Sequence, residues 1–184
     1  MKKISLIVII ICLFSGLAFA QERYISLAPS TTEILFALDL DKEIVGVSSF
    51  CNYPGQAKSK AKVGDFSRPS IETIISLKPD YIFCTGLEQA PVIYQLRKLG
   101  LNVYVADPSS FDELFSSISK IGKITNKTKQ AEALIVKMKA DIKTITSKTE
   151  LIPQDKKIKV FIEIWHEPLM TAAKGSFVDE LIVS

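Results

Sequence analysis

Histidine is almost missing: the 184 residues contain one, His166. That leaves little room for a zinc or manganese centre built on paired imidazoles. Arginine is scarce as well, with only Arg23, Arg68 and Arg97. No strong charge of one sign is present, since 23 Lys and Arg stand against 20 Asp and Glu for a net charge of +3. Removing Lys2 and Lys3 leaves 21 basic against 20 acidic residues. A nearly neutral surface gives no electrostatic case for nucleic acid, whose binding rests on clustered Lys and Arg. The lysines between Lys120 and Lys159 are interspersed with Glu, Asp and Gln, as on solvated helices. Signatures of turnover are absent too. There is no Gly-x-Ser-x-Gly elbow and no His-Glu-x-x-His pair. Gly122-Lys123-Ile124 lacks the upstream glycine and the hydroxyl of a phosphate loop. Cys51 and Cys84 are not a Cys-x-x-Cys redox pair. A protein that is not an enzyme, with no resident cofactor or metal, is the expectation.

A long hydrophobic run is also lacking, and the short one at the start has a different meaning. Lys2 and Lys3 precede the apolar stretch Ile4 to Phe14, Ser15-Gly16 ends it, and Ala18-Phe19-Ala20 supplies the small-x-small pattern of a signal peptidase site. Cys12 follows Ile11, where a lipoprotein signal needs a small residue. Residues 1–20 are therefore read as a cleavable signal peptide, with cleavage between Ala20 and Gln21 and a periplasmic destination. In that oxidising compartment a Cys51–Cys84 disulfide is chemically allowed.

From Gln21 onward, short apolar strand candidates alternate with helical patterns, the signature of an α/β fold with a mainly parallel sheet. Strands are expected at Tyr24–Ala28, Ile44–Ser48, Tyr81–Cys84 and Asn102–Ala106. Ser30-Thr31-Thr32-Glu33 has the form of a capping box at the start of the first helix. Further helices are read over Ser70–Leu77, Pro91–Leu99 closed by Gly100, and Ser110–Gly122. Residues 21–125 then make a parallel-sheet N-terminal lobe. From Asn126 to about Thr146 no Gly or Pro interrupts a helical pattern carried by Ala131, Leu134, Ile135, Met138, Ile142 and Ile145. About twenty residues at 1.5 Å each give a rod of roughly 30 Å, and residues 126–150 are read as a long connecting helix. A strand at Lys159–Ile164 and a helix from Ser176 to Val183 follow, and residues 151–184 read as the incomplete start of a second α/β lobe, truncated because these elements alone bury too little apolar surface.

Ligands of open parallel sheets bind beyond the carboxyl ends of the strands. Those ends carry Pro29 and Ser30, Phe50, Cys51 and Tyr53, and Thr85 and Gly86, with Phe66 in a neighbouring loop. The group is aromatic, small and neutral, and suits a bulky, flat ligand held by stacking and a few hydrogen bonds.

Four segments resemble the periplasmic solute-binding proteins for cobalamin, iron-siderophores and haem. They are Tyr24-Ile25-Ser26-Leu27-Ala28-Pro29-Ser30-Thr31-Thr32-Glu33, Val45-Gly46-Val47-Ser48-Ser49-Phe50-Cys51-Asn52-Tyr53-Pro54 with Lys62-Val63-Gly64, Pro69 to Asp80, and Glu163 to Thr171. The resemblance runs over nearly all the chain after Gln21. It implies two α/β lobes joined by one long helix, a ligand held between them, and delivery to an ABC permease at the inner membrane by a monomeric carrier. By the same resemblance, Glu72 matches a carboxylate that docks on permease arginines. Phe50 and Phe66 match aromatics that stack on a corrin, and Thr85 stands where the cobalamin binders have a third aromatic. Trp165 and His166 sit where the second lobe faces the cleft. In the family's sheet order both cysteines flank the first strand, roughly 9–10 Å apart, against the 7 Å or so that a disulfide spans; the bond is left open. A corrinoid is the expected ligand, with ferric siderophore or haem as alternatives and a truncated, non-binding remnant or interaction module as a third.

Overall fold

The computed structural model describes residues 21–183, so the expected signal peptide and its cleavage site lie outside the described residues. The chain forms β1 (Tyr24–Ser26), α1 (Pro29–Ala37), β2 (Ile44–Val47), β3 (Ala61–Lys62), α2 (Ile71–Ser76), β4 (Tyr81–Cys84), α3 (Ala90–Lys98) and β5 (Val103–Val105). These are followed by α4 (Phe111–Ile124), α5 (Thr128–Thr149), β6 (Glu163–His166), β7 (Leu169–Thr171) and α6 (Phe177–Val183). The first five strands make one parallel sheet in the order β3-β2-β1-β4-β5.

Both faces of this sheet are covered, as parallel strands require. Side chains alternate across it. Tyr24 and Phe83 enter a core with Leu35, Leu38, Ile118 and Ile121, beneath α1, α4 and α5. Their neighbours Ile25 and Ile82 enter a second core with Ile74, Val92 and Leu96, beneath α2 and α3. Tyr24 meets Phe83 edge to face at 5.7 Å between ring centroids, a geometry favoured by the ring quadrupoles.

The helix starts show where local chemistry decides. The Ser30–Glu33 capping box does not form: α1 begins two residues earlier than that box implies, at Pro29, with Ala28 as its N-cap and no side-chain cap. Proline is pre-set for the first helical position and has no amide to orphan, so it takes the start from Ser30. Ser110 does cap α4, accepting the Glu113 amide at 3.2 Å. The Glu113 carboxylate accepts the amide and hydroxyl of Ser109, both at 2.7 Å. These bonds, the amide one foremost, hold the Glu113 carboxyl below its usual range. Gly122 is buried where α4 meets α5, and a Cβ there would come within 2.5 Å of the Ala131 methyl group.

The long helix α5 has 22 residues, about 33 Å at 1.5 Å each. It starts at Thr128 because Asn126, at φ 58°, closes α4 in the left-handed region. Ala131, Leu134, Ile135 and Met138 pack on the first core, while Ile145 further along is exposed. Beyond α5, the strand expected at Lys159–Ile164 forms instead at Glu163–His166, as an antiparallel hairpin with β7. Val160, Phe161 and Ile162 have the composition of a strand, but strand propensity acts through a pairing partner. The partner at hand is the local one, Leu169–Thr171. Ile164, Trp165, Leu169 and Met170 of this hairpin are exposed. The segment returns to the first lobe through α6. Phe177 meets Phe111 edge to face at 5.4 Å, and the Glu180 carboxylate accepts the Phe111 amide at 2.9 Å, one of the donors that a helix start leaves unpaired.

β2 and β4 flank β1, as the resemblance implies, yet Cys51 and Cys84 are free and buried. Cys51 lies past the end of β2 in the core under α1, while Cys84 points into the core on the other side of the sheet. A barrier of backbone separates them, so no loop movement joins the two sulfurs. Burial pushes the Cys84 thiol up to about 12, with the Arg97 charge opposing, so it stays protonated and inert. Alkylation of a protein spanning residues 21–184 in denaturant without reductant is expected to label both Cys51 and Cys84, and in native buffer neither; a protein that takes no label unfolded holds the bond after all.

Candidate functional site

The carboxyl ends of β1, β2 and β4 build one surface, and buried side chains support it from below. At the end of β1, Ser26 Oγ lies 2.7 Å from Thr31 Oγ1 and 2.8 Å from Thr32 Oγ1. Thr32 Oγ1 is also 3.1 Å from Cys51 Sγ, which in turn lies 3.2 Å from Ser48 Oγ. All five residues are fully buried. Each hydroxyl has one proton and two lone pairs, so a continuous chain of donors and acceptors satisfies every member. The chain fixes the loop after β2 to the start of α1 and leaves their outer surfaces open.

Other anchors hold the remaining loops. Lys62 reaches from β3 and donates to the carbonyls of Cys51 and Ala57 at 3.0 and 3.1 Å, spanning the segment that carries Tyr53. The Ser49 amide donates to the Gly64 carbonyl at 2.8 Å. Gly64, at φ 106°, pairs with Pro69 in an isolated bridge and so closes a tight loop with Phe66 near its tip. A Cβ on Gly64 would press on the Pro69 and Ser70 backbone. Gly86 makes room in a different way: a Cβ there would collide with the Asp107 carboxylate.

Against this frame the expected site residues divide. Phe50 and Tyr53 are 60% and 66% exposed, so they do not serve to pack their loop on the sheet. Phe66, Thr85, Gly86 and Pro29 are half-buried around the same strand ends, and Ser30 is exposed. Cys51 is under this surface, not on it, its thiol held by Thr32 and Ser48. Trp165 and His166 stand apart on β6, their rings 5.6 Å from each other. The Trp165 indole donates to the Glu167 carbonyl at 2.8 Å, and among the described residues neither ring contacts Phe50, Tyr53 or Phe66. Glu72 is exposed in the first turn of α2, which Ser70 caps by accepting the Thr73 amide at 3.2 Å. Among the described residues no three His, Cys, Asp or Glu side chains gather as a metal site would need. Sequence reading did not single out Ser26, Thr32, Lys62 or Gln89 as supports: the first three stand inside the segments that carry the resemblance, and Gln89 lies in none of them.

An open parallel sheet with bare aromatics at its carboxyl ends and a long helix leaving for a second segment is one lobe of a bilobal binding protein. The chain belongs to the periplasmic binding protein family, which matches residues 25–183. It is 37% identical over 166 residues to an uncharacterised ABC transporter substrate-binding lipoprotein of Bacillus subtilis, covering 88% of this chain and 52% of the relative. It is 29% identical over 178 residues to the vitamin B12-binding protein of Yersinia pseudotuberculosis, covering 96% and 62%. The structure of the periplasmic vitamin B12 binding protein of Vibrio cholerae aligns at TM-score 0.76 and 27% identity over 87% of this chain and 62% of that one. A possible iron-binding, periplasmic solute-binding protein from Staphylococcus epidermidis aligns at 0.75 and 32%, over 88% and 64%. The chain thus spans between half and two thirds of the length of these proteins.

The exposure of Phe50 and Tyr53 has a direct consequence for stability. Replacing either with Ala should change the unfolding free energy by no more than about 0.5 kcal/mol, whereas Phe83→Ala in the core should cost about 3–5 kcal/mol. Chemical denaturation of the three variants checks this; a loss above 2 kcal/mol at Phe50 or Tyr53 returns those rings to a packing role.

Proposed function

We propose that the chain is the ligand-capturing part of a periplasmic solute-binding component of an ABC importer, and that its ligand is a corrinoid. The observation that carries this reading is the pair of exposed rings, Phe50 and Tyr53, beside half-buried Phe66 on a surface anchored from beneath. A large planar ligand recovers the apolar area that these rings leave in water, and stacking on a face adds about 0.5–1.5 kcal/mol per ring. Membership of the family supports the transport role, and the vitamin B12-binding relatives support the corrinoid. Anionic ferric chelates call for arginines in the cleft; of the three arginines, Arg68 lies in the loop that carries Phe66, while the Arg97 guanidinium donates to the Val103 carbonyl at the start of β5. No step of chemistry is assigned to the chain, since a carrier needs affinity and release and no turnover.

Titration of the full chain with cyanocobalamin, haemin and a ferric siderophore decides the ligand class. Cyanocobalamin is expected to bind most tightly, with Phe50→Ala and Phe66→Ala each weakening it up to about tenfold. Preference for haemin or the ferric siderophore moves the assignment to that chelate, and no binding of any of the three removes the carrier reading.

Delivery requires recognition by a permease, and Glu72 is suited to that. It is exposed, in the first turn of α2, and has no ion-pair or hydrogen-bond partner among the described residues. A carboxylate so placed is free to pair with arginines of a membrane partner, an interaction that orients the complex more than it strengthens it. Glu72→Ala should keep ligand affinity within about twofold and lower uptake by cells; undiminished uptake would sink the docking role.

A further inference from the structure

Gln89 is a neutral side chain with no accessible surface, at the turn that leads into α3. Its amide has three hydrogen-bonding demands, and each is met by a different part of the strand-end surface. Oε1 accepts the Thr85 amide at 3.0 Å. Nε2 donates to the Leu27 carbonyl at 3.0 Å and to the Phe66 carbonyl at 2.8 Å. The orientation of the amide is unambiguous, because a flip would set an oxygen against two carbonyls and an NH2 against an N–H. One side chain thus ties the end of β1, the turn after β4 and the loop that presents Phe66.

We propose that Gln89 is a positioning residue of the ligand surface, which sets where the Phe66 ring stands relative to the Thr85-Gly86 turn and so tunes affinity for a flat ligand. The inference rests on the carrier reading above and acts entirely through Phe66. The Phe66 loop is otherwise closed by the Gly64–Pro69 bridge at its base and by the Arg68 amide donating to the Asp65 side chain. Those contacts fix the loop internally. The Ser49 amide and hydroxyl hold the Gly64 carbonyl at the base of the loop, at 2.8 and 3.0 Å, and the Gln89 bond ties its tip to the sheet, 23 residues away in sequence. An aromatic that stacks through a ring face loses most of its contact when displaced by an ångström or so, because dispersion falls steeply with distance.

The test uses the full chain with Gln89→Glu and Gln89→Met. Gln89→Glu keeps an acceptor for the Thr85 amide but loses one donor when protonated and both when ionised, so the Leu27 and Phe66 carbonyls no longer both receive a bond; the thioether keeps the length and removes all three bonds. Amide hydrogen exchange is measured without ligand. In Gln89→Glu, exchange of the Arg68 amide, which donates to Asp65 within the loop, is expected to rise about tenfold or more while the Thr85 amide and the β1–β4 ladder stay protected; unchanged exchange at Arg68 overturns the proposal. Cyanocobalamin binding is then measured for Gln89→Glu, Phe66→Ala and the double variant. A loss of about tenfold for Gln89→Glu that disappears once Phe66 is Ala supports action through the ring. Losses that simply multiply in the double variant overturn it. Should the wild type bind neither cyanocobalamin, haemin nor ferric siderophore, the carrier reading fails, and the exchange measurement still decides whether Gln89 holds the loop. Gln89→Met separates donor loss from any introduced charge: it should free the Arg68 and Thr85 amides together, and protection of both refutes the anchoring.

Discussion

The rest of the structure depends on one constraint: the carboxyl ends of a parallel sheet must be satisfied without being covered. Where β1, β2 and β4 end, their backbone groups lose the ladder, and a buried unpaired group costs about 1–3 kcal/mol. Water could satisfy them, but water would dissolve the definition of the surface. Here the interior does it. The Ser26, Thr31, Thr32, Cys51 and Ser48 chain and the three bonds of Gln89 all lie below the surface. Each connects segments that no regular element joins. The outer side is left to rings and small residues whose positions are fixed although they pack on little.

Most of the fold was legible because it is written in periodicity. The strands β1, β2, β4 and β5 and the helix α5 follow from apolar runs and 3.6-residue spacing, and the sheet order follows from the resemblance. Errors fall where a competing local interaction wins. Pro29 took the helix start from Ser30, since a fixed backbone torsion outweighs one side-chain cap. The strand near Val160 moved to Glu163–His166 because a hairpin partner, and not intrinsic preference, decides pairing. The disulfide that strand order left open is excluded by direction: Cys84 on β4 and Cys51, in the turn past β2, enter opposite cores.

The site was legible in part, and the division is physical. Phe50, Phe66, Thr85 and Gly86 could be named because strand ends can be named. Their supports could not, since a glutamine satisfying three distant backbone groups has no local pattern: its partners Leu27 and Phe66 lie 62 and 23 residues away. Cys51 illustrates the same limit from the other side. It stands between Phe50 and Tyr53 in sequence, yet the Ser48–Cys51 turn rolls it inward while both neighbours point out.

The two walls of such a site differ in kind, and that difference bears on selectivity. On the corrinoid reading the wall from the first lobe is neutral and aromatic, so it would reward a flat ligand by area and discriminate weakly, as hydrophobic contact does in general. Discrimination needs polar groups that a wrong ligand would leave unpaired. Near the first-lobe surface these are few, with Arg68 and Ser30 exposed. On the second segment, Trp165 and His166 stand together on β6 with their rings bare, an indole and an imidazole able to stack and to coordinate or hydrogen-bond at once. Phe177 and Glu180 of the same segment seat α6 on the start of α4. On the reading proposed here, affinity for the class of ligand resides in the first wall. The choice within the class falls to the second.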